Sequence, residues 1–133
     1  VQKLCLRQNS IHTVEGLDRL GSTLKDLDLY DNAIAHIKGL DELLNLTSVD
    51  LSFNKIKHIK NVKHLKQVKD LYFVQNKIVK IEELDGMTAL RNLELAANRI
   101  RVGGVDQGCG GVLLTFNRRL RTSRVSQHWK SFG

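Results

Sequence analysis

The sequence predicts an α/β solenoid in which short strands stack into a parallel sheet on a concave side and helical or 3₁₀-like legs return along a convex side. Three observations carry this. The phrase "LDLYDNAI" at 27–34 recurs as "LCLRQNSI" from Leu4, "VDLSFNKI" from Val49, "LYFVQNKI" from Leu71 and "LELAANRI" from Leu93. Its asparagines, Asn9, Asn32, Asn54, Asn76 and Asn98, are spaced by 23, 22, 22 and 22 residues. Counted from Val1, Leu24, Leu46, Val68 and Leu90, apolar residues also recur at repeat positions 1, 4, 6, 11, 14, 17 and 20, without exception in the first four repeats.

Each part of the repeat follows from its spacing. Positions 4 and 6 (Leu27 and Leu29, Val49 and Leu51) have the period of two of a strand with one buried face. This places strands near 4–6, 27–29, 49–51, 71–73 and 93–95. Positions 11, 14, 17 and 20 (Ile34, Ile37, Leu40 and Leu43 in the second coil) step by three, which suits a helical or 3₁₀ return leg. One such coil cannot bury its apolar face alone, so neighbours must stack. The pattern is that of a leucine-rich repeat array over residues 1–102, five repeats with the last incomplete. The 23-residue step arises at "RLGSTL", Arg19 to Leu24, and reads as a bulge near Gly21 on the convex leg.

The five asparagines are expected to be structural. After position 6 the chain turns while still buried, and its backbone N–H and C=O groups need partners. A carboxamide offers both donors and an acceptor, whereas Asp lacks the donor and Leu lacks both.

The grammar stops after Ile100, where Gly103, Asp106 and Cys109 replace the next three apolar positions and five glycines fall within 103–111. Residues 103–133 therefore read as a glycine-rich and then basic tail, disordered or foreign to the repeat frame, and no capping coil is recognised at either end. Of the formal net charge of +7, five basic groups (Arg118, Arg119, Arg121, Arg124, Lys130) against Asp106 place +4 in this tail. The chain starts inside a repeat, at Val1, and reads as a piece of a longer array. No apolar run approaches the ~18 residues of a membrane span. Cys5 and Cys109 make neither a disulfide framework nor a metal set, which points to a reducing compartment.

Residues at positions 3, 5, 7 and 8 face the concave side. Position 5 reads Cys5, Asp28, Asp50, Tyr72, Glu94 and position 3 reads Lys3, Asp26, Ser48, Asp70, Asn92, with Tyr30, Asp31 and Phe53 at positions 7 and 8. An acidic face with three exposed aromatics is the composition of a protein-binding surface. A nucleic-acid groove would be basic there. Lys55, Lys57, Lys60, Lys63, Lys66 and Lys69 crowd the return legs as a solvated flank, and His12, His36, His58 and His64 read as surface residues. No nucleophile motif, phosphate loop or metal set suggests an enzyme or a cofactor.

The phrases "LCLRQN" (4–9), "LDLYDN" (27–32), "LSFNKI" (51–56), "VQNKI" (74–78) and "LELAANRIR" (93–101) resemble early repeats of the protein phosphatase 1 regulatory subunit 7 family, over residues 1–102 and in the same order. The resemblance implies a non-catalytic nuclear and cytoplasmic subunit that grips the phosphatase catalytic subunit with its concave face. It implies Asp50, Tyr72 and Glu94, and with them Asp28, as partner-binding residues. Two other roles remain open: an adaptor of the same repeat class in a ribonucleoprotein or cytoskeletal complex, and nucleic-acid binding by "RRLRTSR" at 118–124.

Overall fold

In a computed structural model, residues 1–102, 105–106 and 115–117 are described, those beyond residue 100 by their backbone alone. Five strands of three residues, β1 (Lys3–Cys5), β2 (Asp26–Asp28), β3 (Ser48–Asp50), β4 (Asp70–Tyr72) and β5 (Asn92–Glu94), pair in parallel and in chain order. A short antiparallel pair follows, β6 (Arg101–Val102) with β7 (Val105–Asp106). Strand β8 (Thr115–Asn117) then lies antiparallel along the far edge of β5. The remainder of the expected tail, including Cys109 and Arg118–Arg124, falls outside the described residues.

The strands begin and end one residue earlier than the apolar spacing suggests, and the asparagines are the reason. The position 6 N–H still bonds across the sheet, as Leu29 N does to Asp50 O at 2.8 Å. The position 6 carbonyl, however, is taken by carboxamides: Leu29 O accepts from Asn32 Nδ2 at 2.9 Å and from Asn54 Nδ2 at 3.0 Å. The regular ladder is interrupted there and the strand ends at position 5, although the position 8 N–H still bonds across to the next coil, as Asp31 N does to Ser52 O at 3.0 Å. The same Asn54 accepts at Oδ1 from Ile34 N at 3.0 Å, and Asn76 and Asn98 do likewise for Ile56 and Ile78. Each inner asparagine thus joins its own coil to the preceding one. Asn9 has no preceding coil; its bonds go to Leu6 O and Arg7 O, and it is exposed.

The core is the repeat pattern made solid. In the second and third coils all seven apolar positions are buried, from Leu24 through Leu65. The first coil shows what a missing neighbour does: Leu4, Leu6, Ile11, Leu17 and Leu20 are half-buried and Val1 is exposed.

Of the helical or 3₁₀ return legs expected, the described legs take the 3₁₀ form, and only in short turns. Among the described residues there is one 3₁₀ helix, Asp18–Leu20. The other legs keep only isolated i→i+3 bonds: Leu43 N to Leu40 O at 3.1 Å and Leu46 N to Leu43 O at 3.3 Å in the second, and Leu65 N to Val62 O at 3.0 Å in the third. A left-handed residue at position 16 of every leg (Gly16, Gly39, Asn61, Glu83) breaks any longer run of helical dihedrals. The extra residue of the first leg is not a bulge into solvent. It lengthens that turn into the 3₁₀ helix and places a buried Gly21 where a Cβ would meet Glu42 O at 2.2 Å.

Candidate functional site: the acidic concave strip

Parallel register aligns the position 5 column across the sheet. Cys5 pairs with Asp28, Asp28 with Asp50, Asp50 with Tyr72 and Tyr72 with Glu94. Adjacent strands stand about 4.8 Å apart, so four of the expected partner-binding residues form one continuous strip. The column beside it, Lys3, Asp26, Ser48, Asp70 and Asn92, is aligned in the same way. In β2 to β5 the middle residue of each strand is buried and the two flanking residues are half-exposed, which turns both columns toward the concave face.

Members of the strip have unequal duties. Asp28 Oδ1 accepts from Tyr30 N at 3.1 Å and Asp50 Oδ1 from Ser52 N at 2.9 Å, so each closes the turn that follows its strand. Tyr72 cannot do this, and the corresponding N–H of Val74 instead donates to Ser52 Oγ at 3.1 Å. Aspartates at this position therefore answer a backbone need as well as offering charge. Tyr72 and Glu94 have no such structural duty among the described residues.

The acidity is felt at Tyr72. Burial first, and then the carboxylates of Asp70, Glu94, Asp50 and Asp26, push its phenol above the ordinary tyrosine value. Both causes disfavour the phenolate, one by desolvation and the other by like charge. The Tyr72 phenol is accordingly held neutral in acidic surroundings.

Exposure of the aromatics is less uniform than the sequence suggests. Phe53 is 41% exposed, whereas Tyr30 and Tyr72 are half-buried. Tyr30 and Phe53 pack together with ring centroids 4.9 Å apart and planes tilted by 44°. Phe53, like Gln8, Asp31, Gln75 and Ala97 at the same repeat position, has a positive φ.

One residue the sequence reading missed is Arg7. Its Nε donates to Asp28 Oδ2, its Nη2 lies 4.0 Å from Asp50 Oδ2, and its guanidinium carbon sits 4.8 Å from the Tyr30 ring centroid. The hydrogen bond and charge of Asp28 strengthen the hold of Arg7 on its proton. The available signal was diagonal: an arginine at position 7 of one coil reaches the position 5 carboxylate of the next.

The flank carries other contacts. Lys55, Lys57, Lys60, Lys63, Lys66 and Lys69 are all exposed, with Lys63 3.9 Å from Glu83 and Lys66 Nζ donating to Gly86 O at 2.7 Å. His64 departs from the expected surface role. It is half-buried and its Nε2 meets Leu40 O at 2.9 Å, so that nitrogen carries the proton. Among the described residues no three His, Cys, Asp or Glu side chains gather closely enough to hold a metal, and no helix is long and apolar enough to cross a membrane.

Comparison with known proteins agrees with the fold. The leucine rich repeat family matches residues 44–100. Protein phosphatase 1 regulatory subunit SDS22 of Saccharomyces cerevisiae is 50% identical over 57 residues, covering 41% of this chain and 17% of that protein. Its counterpart in Schizosaccharomyces pombe is 54% identical over 46 residues, covering 35% of this chain and 13% of that protein. The matched segments thus span less than a fifth of these curated relatives. Among solved structures, an internalin from Listeria monocytogenes superposes with a TM-score of 0.61 at 24% identity, covering 75% of this chain and 36% of that one. A leucine-rich repeat protein of Leptospira interrogans does so with 0.65 at 30% identity, covering 75% and 26%. The chain is a leucine-rich repeat solenoid, and its repeats are similar to those of the SDS22 regulatory subunits of protein phosphatase 1.

Proposed function

We propose that this chain is a non-catalytic, protein-binding module that engages the catalytic subunit of protein phosphatase 1 through its concave strip, in nucleus and cytoplasm. The observation that carries the reading is the in-register column of Asp28, Asp50, Tyr72 and Glu94 on repeats similar to those of two phosphatase regulatory subunits. A strip of carboxylates around a neutral phenol suits a partner surface with basic groups and a pocket for an aromatic anchor. Tyr72 is the anchor, as a half-buried ring with a polar tip at the centre of the acid. Asp50 and Glu94 flank it on the adjacent strands.

Affinity capture from a nuclear and cytoplasmic lysate, followed by mass spectrometry, tests this reading. The expected result is recovery of the phosphatase catalytic subunit, lost with Tyr72→Ala and retained with Lys57→Ala. Recovery of a ribonucleoprotein or cytoskeletal assembly in its place, or of nuclease-sensitive RNA alone, would overturn it.

A further inference from the structure

The contact made by Arg7 has the form of a ligand in a site. We propose that the Tyr30 ring and the Asp28 and Asp50 carboxylates form a guanidinium-binding subsite, filled in cis by Arg7 and taken over by an arginine of an incoming basic segment. The inference rests on the reading of the concave face as a protein-binding surface, and not on which protein binds there.

Three features of the subsite select a guanidinium. The Asp28 carboxylate receives the Nε–H of Arg7, the Asp50 carboxylate stands 4.0 Å from its Nη2, and the Tyr30 ring lies 4.8 Å from its central carbon. A flat cation with donors on several edges meets all three at once, whereas an ammonium is a compact point charge without a face to stack. Phe53, 4.9 Å from Tyr30 and 41% exposed, extends the aromatic surface to the next coil. There it offers the methylene stem of an incoming arginine an apolar wall.

The cis occupant is held loosely enough to leave. The Arg7 side chain is 51% exposed, and its approach to Asp50 is at the outer limit of an ion pair. Exposed pairs of this kind contribute little to stability. The acid around the subsite exceeds what Arg7 neutralises: Asp26 is met by Lys3 at 3.5 Å, but Asp70 and Glu94 lie on the same face and act on Tyr72. A basic segment is therefore drawn to the strip, and its arginine competes with Arg7 for the one position that offers both ring and carboxylates.

The competition sets the size of the effect. If Arg7 occupies the subsite about nine-tenths of the time, removing it raises the apparent affinity of an arginine ligand about tenfold. The test is fluorescence anisotropy of the full chain with a labelled Gly-Arg-Gly-Arg-Gly peptide and its lysine twin. The wild type should bind the arginine peptide several-fold more tightly, and Arg7→Gln should bind it about five- to tenfold more tightly than the wild type. Tyr30→Leu should erase the preference for arginine over lysine. Equal affinity of the two peptides, or an unchanged or weaker affinity in Arg7→Gln, would overturn the proposal. A second measurement needs no variant: the Arg7 Nε–H resonance of the wild-type chain should move toward its solvent position as the arginine peptide saturates. An Arg7 resonance unmoved at saturation would also overturn it. Because no phosphatase is present, peptide selectivity can survive a failure to bind phosphatase, and the reverse, so the two readings fail separately.

Discussion

At Asn54 one side chain satisfies four backbone groups at once. Its Nδ2 serves Leu29 O, Leu51 O and Ser52 O, while its Oδ1 receives Ile34 N, and through Leu29 O it shares an acceptor with Asn32. Asn54→Leu leaves these buried groups unpaired and should destabilise the fold by about 1–3 kcal/mol in denaturant unfolding. Asn9→Leu, at an exposed site with bonds only inside its own coil, should cost well under half of that. Equal losses at the two sites would remove the inter-coil argument. Tyr72 supplies a second test at this scale. With Tyr30→Phe the chain keeps one tyrosine, and its ultraviolet titration should lie above the ordinary value of about 10. The folded-state value is raised, so this group's contribution to stability is fully present below the unfolded value and lost as pH rises through the folded one. Tyr72→Phe should therefore soften the alkaline loss of stability relative to wild type. The asparagines and the position 5 column were legible because each repeats the same chemistry at a fixed step. Arg7 was not, because its meaning depends on a carboxylate in the next coil and a ring that only stacking brings near.

Within one coil, two residues carry a positive φ, at positions 8 and 16, and the sequence reveals them unequally. Position 16 reads Gly16, Gly39 and Asn61 before Glu83, residue types that mostly enter the left-handed region easily. Position 8 reads Gln8, Asp31, Phe53, Gln75 and Ala97, with no common preference for that region. The conformation there is imposed by its neighbours: the carbonyls at positions 6 and 7 both turn toward the asparagine amide at position 9, as Leu51 and Ser52 do toward Asn54. At position 8 tertiary bonding overrides local propensity, whereas at position 16 it is mostly the residue types themselves that favour the left-handed conformation interrupting the return legs. Gly16 and Gly39 separate the two effects of adding a side chain. Both have φ of +74°, but a Cβ on Gly16 meets nothing within 4 Å, while on Gly39 it would lie 2.1 Å from Val14 O. Gly16→Ala should cost about 1–2 kcal/mol from backbone strain alone. Gly39→Ala should exceed it by about 1–3 kcal/mol, because the adjoining coil must shift. Thermal unfolding of the two variants side by side reads the difference directly.

Over the whole molecule, stacking converts a period in sequence into columns in space. Each coil contacts its neighbours, so the stability of the array and the shape of its surface are both sums over adjacent pairs. The acid of the concave face was legible as soon as the coil was aligned, since parallel register adds no offset between strands. Its division of labour was not legible. Asp28 and Asp50 close turns as well as presenting charge, so a partner-binding test must remove the charge and keep the acceptor. Asp50→Asn and Glu94→Gln do this. They should slow association with a basic partner and weaken its salt dependence, because charges of this kind act largely on encounter. The central claim is most directly tested by calorimetric titration of the purified phosphatase catalytic subunit with wild type, Tyr72→Ala and a Lys57→Ala, Lys60→Ala flank control. Tyr72→Ala should lose the most affinity, about 2 kcal/mol if it is the anchor of the strip, while the flank control stays at the wild-type value. Equal losses from both, or none from Tyr72→Ala, would contradict the concave-strip account.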